Sequence, residues 1–197
     1  MQTALTQPTA SHSLSGFAAT LPGRLLIGLA AATVVAAASH MSIPLPFTPV
    51  PLTLQPLAVL GVGLALGPVA GFFAMLAYLA EGALGLPVFS PTGLGGVAQL
   101  FGPTGGYLLA YPFVAAIAGG LTRLLSAKTP RFFAAVLGCS AAVALLYASG
   151  TGWLMVLAHL SLNQGWAAGI APFLSGEVIK ILAAASIYSA LARTSRN

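Results

Sequence analysis

Six nearly uninterrupted apolar runs lie along the chain, at 24–41, 54–66, 68–84, 106–125, 132–149 and 173–192. Runs of this kind read as lipid-embedded helices, since about 20 apolar residues cross the hydrocarbon of a bilayer. The second and third are short and are parted only by Gly67-Pro68, where a helix must stop or turn. Residues 150–171 are ambiguous: WLMVLAHL could prolong the fifth run, whereas SLNQGWAAG reads as an interfacial turn or short helix. Polar, proline-rich and glycine-rich stretches separate the runs, notably PLPFTPVPLTLQ (44–55) and GLPVFSPTGLGGVAQLFGPTGGY (85–107). The pattern predicts an all-α integral membrane protein, with six transmembrane helices and long outward-facing loops. Its parts are a mobile tail (1–23), one membrane domain (24–192) and a cytoplasmic C-terminal tail (193–197).

Composition fixes the solvent. With 58% hydrophobic and 5% charged residues, the chain has too little polar surface to cover a water-soluble globule. The single cysteine, Cys139, falls within an apolar run, so it reads as core packing and leaves no disulfide framework. Charge then sets orientation. Of the seven bases, Arg24, Arg123, Lys128, Arg131, Arg193 and Arg196 fall on one side of a six-span arrangement. Bases beside span ends mark the cytoplasmic side, so both termini are expected inside a bacterial cytoplasmic membrane. No basic face with aromatics or a recognition motif supports binding to nucleic acid.

The opposite side receives 42–53, 85–105 and 150–171. Long connections are uncommon unless they bind something or are disordered, and irregular backbone at membrane depth survives only beside protein or a watery cavity. They read as a rigid outer lid over a pocket between helices. The seventh base, Lys180, lies within the last run, three residues from Glu177 in GEVIKILAAA, and hence on the same helix face. A start near Ala171-Pro172 would put Glu177 about 8 to 9 Å and Lys180 about 12 to 13 Å below the outer end. A charge at the bilayer centre costs about 2.5 to 3.5 kcal/mol on insertion scales and is usually kept for function or pairing. Mutual neutralisation in the bundle is the plainer alternative. Convergence with three outward connections and with Gln55, at the outer end of the second run, favours a ligand site.

Other landmarks narrow the chemistry. His40 and His159 lack metal-ligand spacing and read as interfacial, so no metal is expected. Trp153, Trp166 and Tyr107 suit the membrane interface; Phe89, Tyr147 and Trp153 could instead wall a pocket. Glu81, at the outer end of the third run, reads as solvated or paired. FGPTGGY lacks the GK[ST] ending of a phosphate-cradling loop, and no Ser-His-acid, Cys-His or metal set is present. The chain is expected to be neither an ATPase nor any other enzyme.

Four segments in order, IPLPFTPVPLTLQ, YLAEGALGLPVF, GPTGGYLLAYPF and PFLSGEVIK, resemble the signature segments of the BioY family, the biotin-specific substrate-capture (S) components of energy-coupling factor (ECF) transporters. The resemblance covers roughly 24–192. It implies capture of biotin from outside, no cofactor, and partners that supply energy: a transmembrane coupling protein and a pair of ATP-binding-cassette ATPases. In LLIGLAAATVVAAASHM, Gly28, Ala32 and Ala36 recur every four residues, a smooth face common inside bundles. The resemblance implies that this face docks on the coupling protein.

The resemblance also gives the acid and base a partner. Biotin's ureido group offers two N–H donors and one carbonyl acceptor, and each needs a partner in a dry pocket. Glu177 is expected to accept from the ureido N–H groups, with Lys180 donating to the carbonyl or holding Glu177 ionised. Gln55 and loop amides at Gly93, Gly95 and Gly96 would add orientation, and Phe89, Tyr147 and Trp153 apolar walls. The family pattern commonly has aspartate where this chain has Glu177. No base in 86–105 matches biotin's carboxylate, which could stay near water, meet loop amides or reach Lys180 in a reversed pose. Capture of another vitamin, or a membrane scaffold whose acid-base pair only steadies the bundle, are the remaining alternatives.

Overall fold

A computed structural model describes residues 20–194. In chain order its elements are α1 (Leu21–His40), β1 (Ser42–Ile43), β2 (Leu52–Thr53), α2 (Gln55–Leu66), α3 (Pro68–Ala83), α4 (Gly96–Phe101), α5 (Gly105–Leu125), α6 (Arg131–Ala158), α7 (Leu162–Gly169), a 3-10 turn (Ala171–Phe173) and α8 (Leu174–Thr194). The two strands form a minimal antiparallel ribbon, Ser42 facing Thr53 and Ile43 facing Leu52. The tail readings for 1–19 and 195–197 lie outside the described residues. Residues 21–23 are not tail: the Thr20 hydroxyl caps α1 by accepting from the Gly23 N–H, and Pro22 occupies the first turn.

Each apolar run becomes a helix. Four stretches are long and apolar enough to cross a membrane: α1, α5, α6 and the continuous 162–191 segment. Helices α2 and α3, with 12 and 16 residues, are shorter apolar helices. They span about 18 and 24 Å, less than a hydrocarbon core of about 30 Å. Gly67 turns the chain between them at φ 84°, a backbone that only glycine adopts without strain.

The ambiguous stretch 150–171 divides. Its first part prolongs the fifth run, since α6 continues through Gly150-Thr151-Gly152 to Ala158. Gly150 is packing surface: the Tyr107 ring lies where its Cβ would be. The third connection therefore shrinks, and most of it is α7, whose Ser161 and Gln164 form a reciprocal capping box.

Helix α5 is the hub, packing against α2, α3 and α6. Its crossing with α2 is close because Gly63 lies on the Ala115 backbone and Gly119 on the Gly63 carbonyl, with no room for a side chain at either. At one end of the bundle Arg123 donates to the Leu66 carbonyl (3.1 Å), so the α5 and α2 C-termini meet beside Gly67. Arg24, Lys128 and Arg131 belong to the same, basic end. At the other end irregular segments are pinned to helices and to each other. Ser39 donates to the Val88 carbonyl (2.8 Å), Thr48 to that of Ala168 (2.7 Å), and Trp153 Nε1 to that of Gly102 (2.9 Å). These three carbonyls thereby find partners within the protein.

Candidate functional site

Helix α8 begins at Leu174, after the 3-10 turn. Glu177 is therefore in its first turn, about 4.5 Å along the axis from the helix start, and Lys180 about 9 Å. The expected depths, counted from a start at Ala171-Pro172, were larger. The N-terminal position itself favours the carboxylate, since the helix dipole is positive there. Lys180 Nζ donates to Glu177 Oε1 at 2.6 Å, and the residues are only 6% and 3% exposed. The other carboxylate oxygen, Oε2, is buried with no hydrogen bond of good geometry among the described residues, and the Tyr147 hydroxyl lies near enough to interact with the carboxylate. An ammonium has three N–H donors, so the pair has unspent capacity of both kinds: an acceptor on Glu177 and donors on Lys180.

Both residues face a narrow cavity of about 50 Å³ at the loop end. Its walls are Tyr107, Leu108 and Tyr111 from α5, Leu146 and Tyr147 from α6, and Phe173 before α8. Its rim is Val50, Pro51, Thr53, Gln55 and Pro56 on one side, and Ser90, Gln99 and Thr104 on the other. The space is far below the roughly 300–1,000 Å³ of ligand pockets, so a guest requires the rim to part.

Gln55, at the first position of α2 and 4% exposed, is oriented by a chain of hydrogen bonds. The Val88 carbonyl can only accept, so the hydroxyl of fully buried Tyr78 donates to it (2.9 Å). The Tyr78 oxygen must then accept from Gln55 Nε2 (2.6 Å). That fixes the amide with its carbonyl oxygen away from Tyr78 and free of partners among the described residues. Ser39 on α1 donates to the same Val88 carbonyl, tying the cavity edge to the end of α1.

Of the nine residues expected at a substrate site, Glu177, Lys180, Gln55 and Tyr147 line this cavity together. Five do not. Phe89 packs edge-on against Tyr78 and fills the space above Gly82. Trp153 is held by Gly102 and covers Gly106. Gly93 is filled by the Gln99 side chain, the Gly95 N–H is given to Gln99 Oε1 (3.0 Å), and Gly96 starts α4. These glycines shape the loop around Gln99 and do not face the cavity. The sequence reading missed Tyr111, Gln99, Ser90 and Thr104, and assigned Tyr107 to the membrane interface. Tyr107 and Tyr111 are four residues apart in YLLAYP, one helix face, and that spacing could have flagged them.

A second hollow, about 750 Å³, is an open groove between α1, α2 and α8, floored by Ala58, Gly61 and Ala65 and almost wholly apolar. Ile27, Ala31, Val34 and Ala38 form its α1 wall. Gly28, Ala32 and Ala36 are not in that wall, and they do not make one exposed stripe. Ala32 is fully buried against its own bundle, Ala36 is half-buried, and only Gly28 has open space around it. Among the described residues no group of three or more His, Cys, Asp or Glu could hold a metal. His40 bonds within its own helix end and His159 ends α6 in the left-handed conformation.

Residues 10–197 match the model of the BioY family. The probable biotin transporter BioY of Pyrococcus horikoshii is 37% identical over 71% of this chain and 78% of its own length. The biotin transporter BioY of Rhizobium etli is 38% identical over 82% of this chain and 88% of its own length. Among solved structures, the S-component for biotin from an ECF-type ABC transporter superposes with a TM-score of 0.79 at 25% identity, covering 95% of both chains.

Proposed function

The chain belongs to the BioY family, and from that premise we propose that it is the membrane subunit of an ECF-type transporter that captures biotin in the cavity beside Glu177 and Lys180. One observation carries the assignment of the site: the buried Glu177 Oε2 has no well-formed hydrogen bond among the described residues, in a cavity that already contains its counter-charge. An unsatisfied buried acceptor costs about 1–3 kcal/mol, more when charged. A ureido N–H removes that cost. The second ureido N–H goes to the free carbonyl oxygen of Gln55, and Lys180 gives a spare N–H to the ureido carbonyl. Tyr107, Tyr111, Tyr147 and Phe173 supply the apolar and aromatic walls for the bicyclic ring.

Capture is binding without chemistry on the substrate. The closed rim must separate from the helix ends to admit the ring and then return. Release inward requires another component to favour a state in which the site is distorted, because a ligand shifts only equilibria to which it binds unequally. A coupling protein and paired ATPases would do this. The groove along α1, α2 and α8 is the proposed docking face. In this reading α1, α2, α3, α5, α6 and α8 all cross the bilayer, the short α2 and α3 completed by the segments before and after them. The basic end and both termini face the cytoplasm.

Calorimetric titration of the purified protein tests the site. Biotin should bind the parent tightly and Glu177→Gln at least about 100-fold more weakly, because the amide replaces an ionised acceptor by a neutral one. Equal affinities would remove Glu177 from the site.

A further inference from the structure

We infer that the site selects its guest by the cyclic urea and not by the charge at the end of the side chain, so that biotin derivatives with an uncharged tail are held nearly as well as biotin. The inference rests on the placement of the ring proposed above and concerns what that placement leaves for the tail.

Charge supplies the first step. The chain has seven bases. Arg24, Arg123, Lys128 and Arg131 belong to the basic end, opposite the cavity. Arg193 is thirteen residues beyond Lys180 on α8, about 20 Å along the axis, and Arg196 lies outside the described residues. Among the described residues lining the cavity, Lys180 is the one cation, and its ammonium already touches a carboxylate at 2.6 Å. Bringing the tail to Lys180 in the reversed pose would set two carboxylates against one ammonium, so that their mutual repulsion offsets the attraction the tail gains. The tail therefore points to the rim.

The rim is polar but neutral. Gln99, 3% exposed, has both amide ends engaged: Oε1 accepts from the Gly95 N–H (3.0 Å) and Nε2 donates to Thr104 Oγ1 (3.3 Å). Thr104 thus acts as acceptor in the hydrogen bond it has, and its own hydroxyl proton is free to turn to a guest. Ser90 shares one hydrogen bond with Thr92 (2.9 Å), so this hydroxyl pair has one proton left to offer outward. Thr53 adds a third hydroxyl on the opposite side. Hydroxyls rotate and can donate or accept, so they meet a carboxylate, an amide or an ester with similar success. A fixed cation would not be so tolerant. Exchanging an ionised acceptor for a neutral one in such a hydrogen bond, where no cation faces it, changes affinity by about tenfold, whereas Glu177 is an ionised acceptor buried beside its counter-charge.

Titration of the full-length protein in detergent at neutral pH with biotin, biotin amide and biotin methyl ester is the test. Both uncharged derivatives should bind within about tenfold of biotin. The ring control is 2-iminobiotin, which keeps the tail carboxylate but replaces the urea carbonyl by a protonated imine facing Lys180. It should bind at least about 100-fold more weakly than biotin. If the amide and ester lose more than 100-fold while 2-iminobiotin binds like biotin, the tail is the recognised group and the inference is overturned. If biotin itself fails to bind, the capture reading falls first and takes the inference with it.

Discussion

The two hollows of this bundle differ in every respect that decides what they can hold. The cavity beside Glu177 is about 50 Å³, narrow and lined by aromatics, hydroxyls, two amides and an ion pair. The groove along α1, α2 and α8 is about 750 Å³, open and lined by aliphatic side chains with one tyrosine. Size would favour the groove. Chemistry favours the cavity, because a small polar molecule is recognised by groups that lack partners until it arrives, and among the described residues the groove offers only the Tyr188 hydroxyl. The groove instead presents what a neighbouring helix needs in a bilayer: a smooth floor at Ala58, Gly61 and Ala65 that allows close approach. On the proposed reading, recognition of a solute and recognition of a protein fall on different parts of the bundle, linked by the hydrogen bonds of Gln55, Tyr78, Val88 and Ser39.

Substitutions can break this contrast, and the strongest is Lys180→Met. It leaves an ionised carboxylate buried without its counter-charge, which costs about 3–5 kcal/mol. Thermal unfolding in detergent should show a large fall in melting temperature, along with loss of biotin binding. Adding Glu177→Gln to that variant should restore most of the stability and none of the binding. Recovery of both would make the pair a structural element only. Glu177→Gln alone comes next, with its loss of about 100-fold in affinity, equivalent to about 2.7 kcal/mol.

Tyr78→Phe sharpens the comparison more gently. It keeps the ring against Phe89 and removes the hydroxyl that orients Gln55. Affinity should fall by about fivefold, a loss of about 1 kcal/mol, as for one neutral hydrogen bond. An unchanged affinity would show that the Gln55 orientation is immaterial. The smallest effect on biotin is expected in the groove. Gly61→Leu adds a side chain into open space on the groove floor and should alter affinity by less than about twofold. Co-purification with the coupling subunit is the sensitive readout there, and normal assembly of the variant would count against docking on this face.

The sequence was most readable where apolar length or charge alone determines the outcome. Each long run became a helix, and a lone Glu177-Lys180 pair in apolar surroundings pointed straight to the cavity. Glycine and proline were less readable, because one residue serves opposite purposes. Gly67 breaks a helix, whereas Gly150 continues one so that Tyr107 can pack against it. Pro68 marks the first as a stop, but nothing local marks the second as a continuation. The same ambiguity hid the rim. Gly93 and Gly95 look like ligand-cradling loop, but they exist to surround Gln99, and that depends on a fold bringing Thr104 back beside it. Ala32 is a further case: four-residue spacing of small side chains marks close packing without saying whether the neighbour is the same chain or another.

The most direct measurement is a crystal structure with biotin bound. The ureido nitrogens should lie within hydrogen-bond distance of Glu177 Oε2 and the Gln55 carbonyl oxygen, with the ureido oxygen on Lys180 and the tail among Thr53, Ser90 and Thr104. Biotin lodged in the groove of α1, α2 and α8, or with its carboxylate on Lys180, would contradict the account.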